Sequence, residues 1–241
     1  IKDGKHRIKD YGITNDLAWE VGLACGGNLK ILIQPLEDND KIIYAIKKNI
    51  DNRKQIIIKN DCITGKREII QNIEGGQKKT SFLDKNQNIF YHIIEPKPRL
   101  FIVGGVHLSQ SLSSLANICE YDVTIIDPRD YFANKQRFPN DKIINEWPDI
   151  ALEKFNLNSS DSIVTLTHDP KIDDLALKLA LDSKIGYIGS LGSKKTHEAR
   201  IERLLAEGVS IVKINQIHSP IGLNISSKTP QEIAISIMAE I

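Results

Sequence analysis

The clearest pattern of apolar and polar positions runs from Arg99 to Arg129, RLFIVGGVHLSQSLSSLANICEYDVTIIDPR. An apolar run at residues 100–103 ends in a Gly pair. A helix-period segment follows, and a second, β-branched run at residues 123–126 closes with Asp127. This order predicts a strand, a tight turn, a helix and a second parallel strand, the opening unit of a doubly wound α/β domain. Further strand-like runs at residues 143–144, 162–167 and 186–188 alternate with helical patterns at 107–119, 149–155, 171–181, 193–207 and 230–240. The last helix opens with Thr229-Pro230-Gln231-Glu232, a capping box with proline at its first position.

Upstream the pattern is different. Two short strand-like runs flank Cys25-Gly26-Gly27, the second spanning residues 29–36, and residues 38–50 put Ile42, Ile43, Ile46 and Ile50 on one helical face. Short β-type runs at 55–59, 67–71, 80–83 and 89–94 follow, separated by Gly65, Gly75-Gly76 and polar residues. Such spacing predicts an antiparallel sheet carrying a helix. Pro96 and Pro98 punctuate the change. The expected class is α/β: a smaller α+β domain over residues 1–96 and a Rossmann-like parallel-sheet domain over residues 97–241.

Composition narrows the classes of function. Among 241 residues, Lys+Arg number 32 and Asp+Glu 31, and no basic block is interleaved with aromatics, so nothing supports nucleic-acid binding. The apolar runs are strand-sized, far below the roughly 20 residues that span a bilayer. The three cysteines, Cys25, Cys62 and Cys119, have no paired spacing. That suits a reducing compartment, and with no signal-peptide pattern a cytoplasmic location is expected. The chain begins at Ile1 and not at a methionine, so a fragment lacking its natural beginning is expected.

In a doubly wound sheet, ligands sit beyond the carboxyl ends of the strands. Four groups of residues are expected there. The first is Gly104, with His107 at the helix start. Aligning the dinucleotide fingerprint on Gly104 puts Val106 where a second Gly would let the backbone approach a pyrophosphate, which disfavours NAD(P). The second is Asp127, placed like a ribose-binding acid, with Arg129 two residues on as an alternative phosphate ligand. The third is Thr167-His168-Asp169, where Pro170 starts a helix that Asp169 could cap. The fourth is Gly189, Ser190, Gly192 and Ser193, a turn suited to phosphate, with His197 and Arg200 on the helix behind it. A turn merely capped by Ser193 would look the same. Cys25, beside two glycines, is the candidate thiolate for a soft metal or for carrying sulfur, or a small buried hydrophobe. No second Cys or His stands at zinc-ligand spacing, so no metal site is expected.

The succession AWEVGLACGG, FIVGGVHLSQSL, YDVTIIDPR with FANKQRFP, VTLTHDPKIDDLAL, YIGSLGSKKTHEARIERL and IHSPIGLNISSKTPQEIAISIMAEI resembles the XdhC/CoxI family, the xanthine dehydrogenase accessory proteins. Members usually carry a further N-terminal segment with its own Gly-Gly-Cys element, and many have Gly-Ala-Gly-His where this chain has Gly104-Gly105-Val106-His107. The resemblance implies a chaperone, with no turnover of its own, that binds molybdenum cofactor (molybdopterin). It implies help with sulfuration by a cysteine desulfurase and insertion into xanthine dehydrogenase or a related molybdenum hydroxylase. A homodimer is left open. The alternative is an NAD(P)-dependent oxidoreductase using the same crevice.

Overall fold

The computed structural model describes residues 4–13, 26–36, 40–73 and 80–241. The chain divides into two compact units, Ile1–Pro96 and Lys97–Ile241.

In the first unit, β1 (Arg7–Ile13) and β2 (Gly27–Ile33) pair antiparallel. A second antiparallel sheet has the order β4-β3-β6-β5, from β3 (Ile56–Asp61), β4 (Arg67–Ile70), β5 (Phe82–Asp84) and β6 (Ile89–Ile94). Its core is small: Ile57, Ile73 and Ile93 are buried, with Ile70, Phe82 and Tyr91 against them. Helix α1 (Lys41–Asp51) is capped by Asp40, whose Oδ1 accepts from the Ile42 amide at 2.9 Å and whose Oδ2 pairs with Arg67 at 2.7 Å. Ile42 and Ile46 are half-buried. Ile43 and Ile50 are exposed, so the apolar face expected of this helix is narrower than four isoleucines. The strand-like run before Cys25, and Cys25 itself, lie outside the described residues.

The second unit is a six-stranded, all-parallel sheet of order β12-β11-β10-β7-β8-β9. Its strands are β7 (Arg99–Val103), β8 (Asp122–Ile126), β9 (Lys142–Ile144), β10 (Asp161–Thr165), β11 (Tyr187–Ser190) and β12 (Ile217–His218). The connecting helices are α2 (His107–Ile118), α3 (Pro148–Glu153), α4 (Pro170–Asp182), α5 (Lys194–Ala206) and α6 (Ile211–Ile214), with α7 (Pro230–Glu240) last.

Strand β7 explains the layering. Leu100, Phe101, Ile102 and Val103 are all fully buried. Because side chains alternate along a strand, Leu100 and Ile102 join Leu108, Leu112 and Ala116 of α2 and Ala234 and Ile237 of α7. Phe101 and Val103 join Ile172, Ala176 and Leu177 of α4 on the other face. The helices after β7 and β10 therefore leave the sheet on opposite sides, and the gap between these neighbouring strands is the topological switch point where such folds bind ligands. The capping box at Thr229 is present: the Thr229 Oγ1 accepts from the Glu232 amide at 3.3 Å and Glu232 accepts from the Thr229 amide at 2.9 Å.

Candidate functional site

The turn after β7 is shaped by contacts that only glycine permits. Gly104 has φ 104°, and a Cβ on it would stand 2.5 Å from the Thr167 Cγ2 and 3.2 Å from the Thr167 amide nitrogen. A Cβ on Gly105 would stand 2.5 Å from the Phe132 carbonyl oxygen. The first turn thus sits against both the β10 turn and the segment after β8. Val106 caps α2 without a side-chain hydrogen bond and packs into the apolar core, while His107 is exposed on the first helical turn.

Asp127 and Arg129 do not stand as two separate ligand groups. The buried Asp127 carboxylate accepts from the Gly105 amide at 2.9 Å, from the Arg129 amide at 3.0 Å and from the Arg129 Nε and Nη2 at 2.9 Å each. Burial alone would push this acid up, but the Arg129 fork and the two amides outweigh it and hold the carboxyl below its ordinary value. Every strong acceptor direction is filled. Asp127 follows the carboxyl end of β8, and its carboxylate is turned inward to brace the β7 turn. The Arg129 guanidinium lies over the Phe132 ring at 4.3 Å and feels Asp169 and Asp173 beyond Asp127.

Beyond β10, His168 sits at φ 63°, the left-handed region that costs a non-glycine residue about 1–2 kcal/mol. The surrounding bonds hold it there. Asp173, buried on the first turn of α4, accepts from the Thr167 hydroxyl at 2.6 Å and from the His168 amide at 3.1 Å. Burial raises its pKa, opposed by those bonds and by Arg200. Asp169 caps α4, accepting from the Lys171 amide at 3.0 Å. The imidazole of His168 is left exposed at the strand end. Asp173 is not among the site residues expected from the sequence. Its signal there is an acid among the inward positions Ile172, Ala176 and Leu177 of α4.

After β11, Gly189 is covered by Ile221, the Ser190 hydroxyl meets Thr165 at 2.5 Å inside the sheet, and Gly192 turns at φ 144° into Ser193. Ser193 caps α5, accepting from the Thr196 amide at 3.2 Å. Of this group, Gly192 is half-buried and Ser193 exposed, whereas Gly189 and Ser190 are buried. Arg200, 2% exposed, reaches back to donate to the Leu191 carbonyl at 3.0 Å. Gly104, His107, Asp127, Arg129, His168, Asp169 and the β11 turn all follow the carboxyl ends of parallel strands in one sheet. Among the described residues no group of three or more His, Cys, Asp and Glu side chains could hold a metal ion, and no helix is long and apolar enough to cross a membrane.

The arrangement matches a known family. The XdhC Rossmann domain matches residues 100–241. The chain belongs to the XdhC family. It is 33% identical over 159 residues to a protein of Bacillus subtilis described as a probable subunit of xanthine dehydrogenase, covering 66% of this chain and 46% of that protein. It is 25% identical over 239 residues to the molybdenum cofactor insertion chaperone PaoD of Escherichia coli, covering 99% of this chain and 66% of that one. A crystal structure described as a xanthine dehydrogenase from Bacillus halodurans superposes with a TM-score of 0.73 at 26% identity, over 99% of this chain and 75% of that one. The XdhC chain thus spans less than half of the first relative and about two thirds of the second.

Proposed function

We propose that this XdhC-family chain is an accessory protein that binds molybdenum cofactor as cargo and inserts it into xanthine dehydrogenase or a related molybdenum hydroxylase. The observation that carries the reading is a similarity to a cofactor insertion chaperone that runs over 99% of this chain and 66% of that protein, on a sheet whose switch point opens among polar groups. The donor set fits the cargo. Molybdopterin carries a phosphate and a pterin rich in N–H groups. The start of α2, which no side chain caps, and the partly exposed Arg129 suit the former. The exposed His107 and His168 and the half-buried Asp169 suit the latter. Asp127 acts one step back, by holding Gly105 and Arg129. Cys25 is proposed to face the metal or the sulfur that a cysteine desulfurase supplies.

The nicotinamide reading has the strand order in its favour. Against it, the Gly105 N–H and the Asp127 carboxylate already satisfy each other, and Val106 obstructs close approach of a pyrophosphate.

The test is to purify the chain from a host that makes molybdenum cofactor and measure bound molybdenum and pterin, then delivery of active cofactor to apo xanthine dehydrogenase. Bound pterin together with stimulated delivery is expected, and both should fall in Cys25→Ala and in a His168→Ala, Asp169→Ala double variant. A colourless, metal-free protein that binds nicotinamide dinucleotide tightly would overturn the reading.

A further inference from the structure

We propose that the cleft between the two antiparallel sheets of the first unit binds a small, uncharged planar heterocycle, with the Asn60 side-chain oxygen accepting an N–H of the ligand. The cleft uses none of the residues invoked for the cofactor, so it stands or falls independently of that reading.

The first observation is a cavity inside the unit. Ile57, Tyr91 and Ile93 of the four-stranded sheet belong to its small core. Side chains alternate along a strand, so the opposed pairs Ile58↔His92 and Asn60↔Phe90 point to the other face. The β1–β2 hairpin brings its own opposed pair, Ile8↔Leu32, to that face without closing on it. A cavity of about 480 Å³ is left, with Ile8 and Leu32 on one wall and Asn60, Phe90 and Leu83 on the other. That volume lies in the range of small-molecule sites, which are mostly apolar with a few placed polar groups. The Phe90 and His92 rings, 5.8 Å apart with their planes 25° from parallel, give the second wall an aromatic surface on which a flat ring can lie.

The second observation is the state of Asn60. The residue is 4% exposed, and its Nδ2 spends both hydrogens on backbone carbonyls, Ile58 and Phe90, at 3.1 Å each. Two carbonyl partners fix which end of the amide is nitrogen, so Oδ1 is the remaining atom. It accepts from no donor among the described residues, and it is not sealed away from the cavity that Asn60 lines. A buried acceptor without a partner is unfavourable, and a ligand N–H placed against it removes the deficit.

The third observation is charge. Among the described residues no acid lines the cavity, and its one lysine, Lys30, is paired with Asp10 at 3.3 Å. A charged ligand would leave water for a wall that offers no free counter-charge, whereas a neutral ring loses little.

The test uses the full chain, with indole as the probe and benzofuran, which has an oxygen in place of the N–H, as its control. The half-buried Cys62 thiol lies on the cavity wall and reports occupancy through its rate of alkylation, and the exposed Cys119 of the second unit is the internal reference. Peptide mass spectrometry reads both rates. At twice its Kd, a probe that must leave before the thiol reacts slows the reaction about threefold. Indole should slow Cys62 by at least that factor at saturable concentration and leave Cys119 unchanged, and benzofuran should act several-fold more weakly. Leu83 is 39% exposed on the edge strand β5, so Leu83→Trp can be accommodated while its larger ring occupies the cleft; indole protection should then disappear. No protection of Cys62, equal slowing of Cys119, or undiminished protection in a folded Leu83→Trp would overturn the site. Equal protection by benzofuran would overturn the Asn60 bond and with it the class of ligand.

Discussion

The Arg129 guanidinium grips the Asp127 carboxylate with two parallel bonds, Nε to Oδ1 and Nη2 to Oδ2, at 2.9 Å each. Asp127 is fully buried, whereas the Arg129 side chain is 38% exposed. The pair therefore has one dry member and one wet one. Asp127→Asn keeps the shape but turns an amide group toward donors. It should destabilise the domain by about 2–3 kcal/mol, less than a fully buried pair would lose, because water screens Arg129. Urea unfolding measures this. The folded acid is held below its ordinary value, so its contribution is present above the ordinary carboxylate range and is lost as the pH falls through the lowered value. The acid limb of the stability curve should accordingly be shallower in the variant.

His168 separates strain from function. Its left-handed backbone suits glycine, so His168→Gly should leave stability within about 1 kcal/mol of wild type. The β-branched His168→Val should cost more. If the exposed imidazole meets the cargo, the glycine variant loses cofactor delivery while unfolding normally. Full delivery by that variant would restrict His168 to a structural role.

Gly105 tolerates no side chain. The Cβ of Gly105→Ala would lie 2.5 Å from the Phe132 carbonyl oxygen and 2.7 Å from its carbon, both backbone atoms that cannot swing aside. The loss should be about 2–4 kcal/mol and the β7 turn should shift. Thermal unfolding together with amide exchange at Gly105 would register both.

Tyr187 and Glu240 tie the last helix to the sheet. The Tyr187 hydroxyl donates to the Glu240 Oε2 at 2.5 Å, and the Gly222 amide donates to the same oxygen at 2.8 Å. Burial, and then the Glu240 carboxylate, push the Tyr187 phenol well above its ordinary value. The folded state therefore holds this proton more tightly than the unfolded chain. The contribution is complete below the ordinary tyrosine value of 10.0 and is lost as the pH rises beyond it. Tyr187→Phe should cost about 1 kcal/mol at neutral pH and decline less steeply above that value. Denaturant midpoints across the alkaline range would decide it.

The βα rhythm of the second unit is legible in the sequence because its strands are continuous apolar runs and its helices begin with caps such as Asp169, Ser193 and Thr229. Strand Arg7–Ile13 is not. Only Ile8, Tyr11 and Ile13 are apolar, and Ile8 and Tyr11 fall on opposite faces. Strand β12 escapes the pattern because Ile217–His218 is too short to carry a period. At the site, residue types and strand ends can be read, but who bonds to whom cannot. Asp127 reads as a ligand group because nothing local says that an amide 22 residues earlier claims it. Asp173 and Arg200 leave a fainter trace. Each puts a charge on the inward face of its helix, Arg200 one turn ahead of the buried Leu204.

The placement of β7 between β8 and β10 has a consequence for biosynthesis. Strand β8 follows β7 closely, but β10 aligns Asp161 with Arg99, 62 residues later. On the ribosome, β7 and β8 can pair early, while one edge of β7 waits for Asp161–Thr165 to emerge. Thr167, against which Gly104 packs, appears later still, and Arg200 behind the β11 loop comes last. The strand-end crevice is thus among the final parts of the unit to be completed, and if it takes the proposed cargo, a nascent chain cannot engage that cargo before nearly all of the domain has been translated.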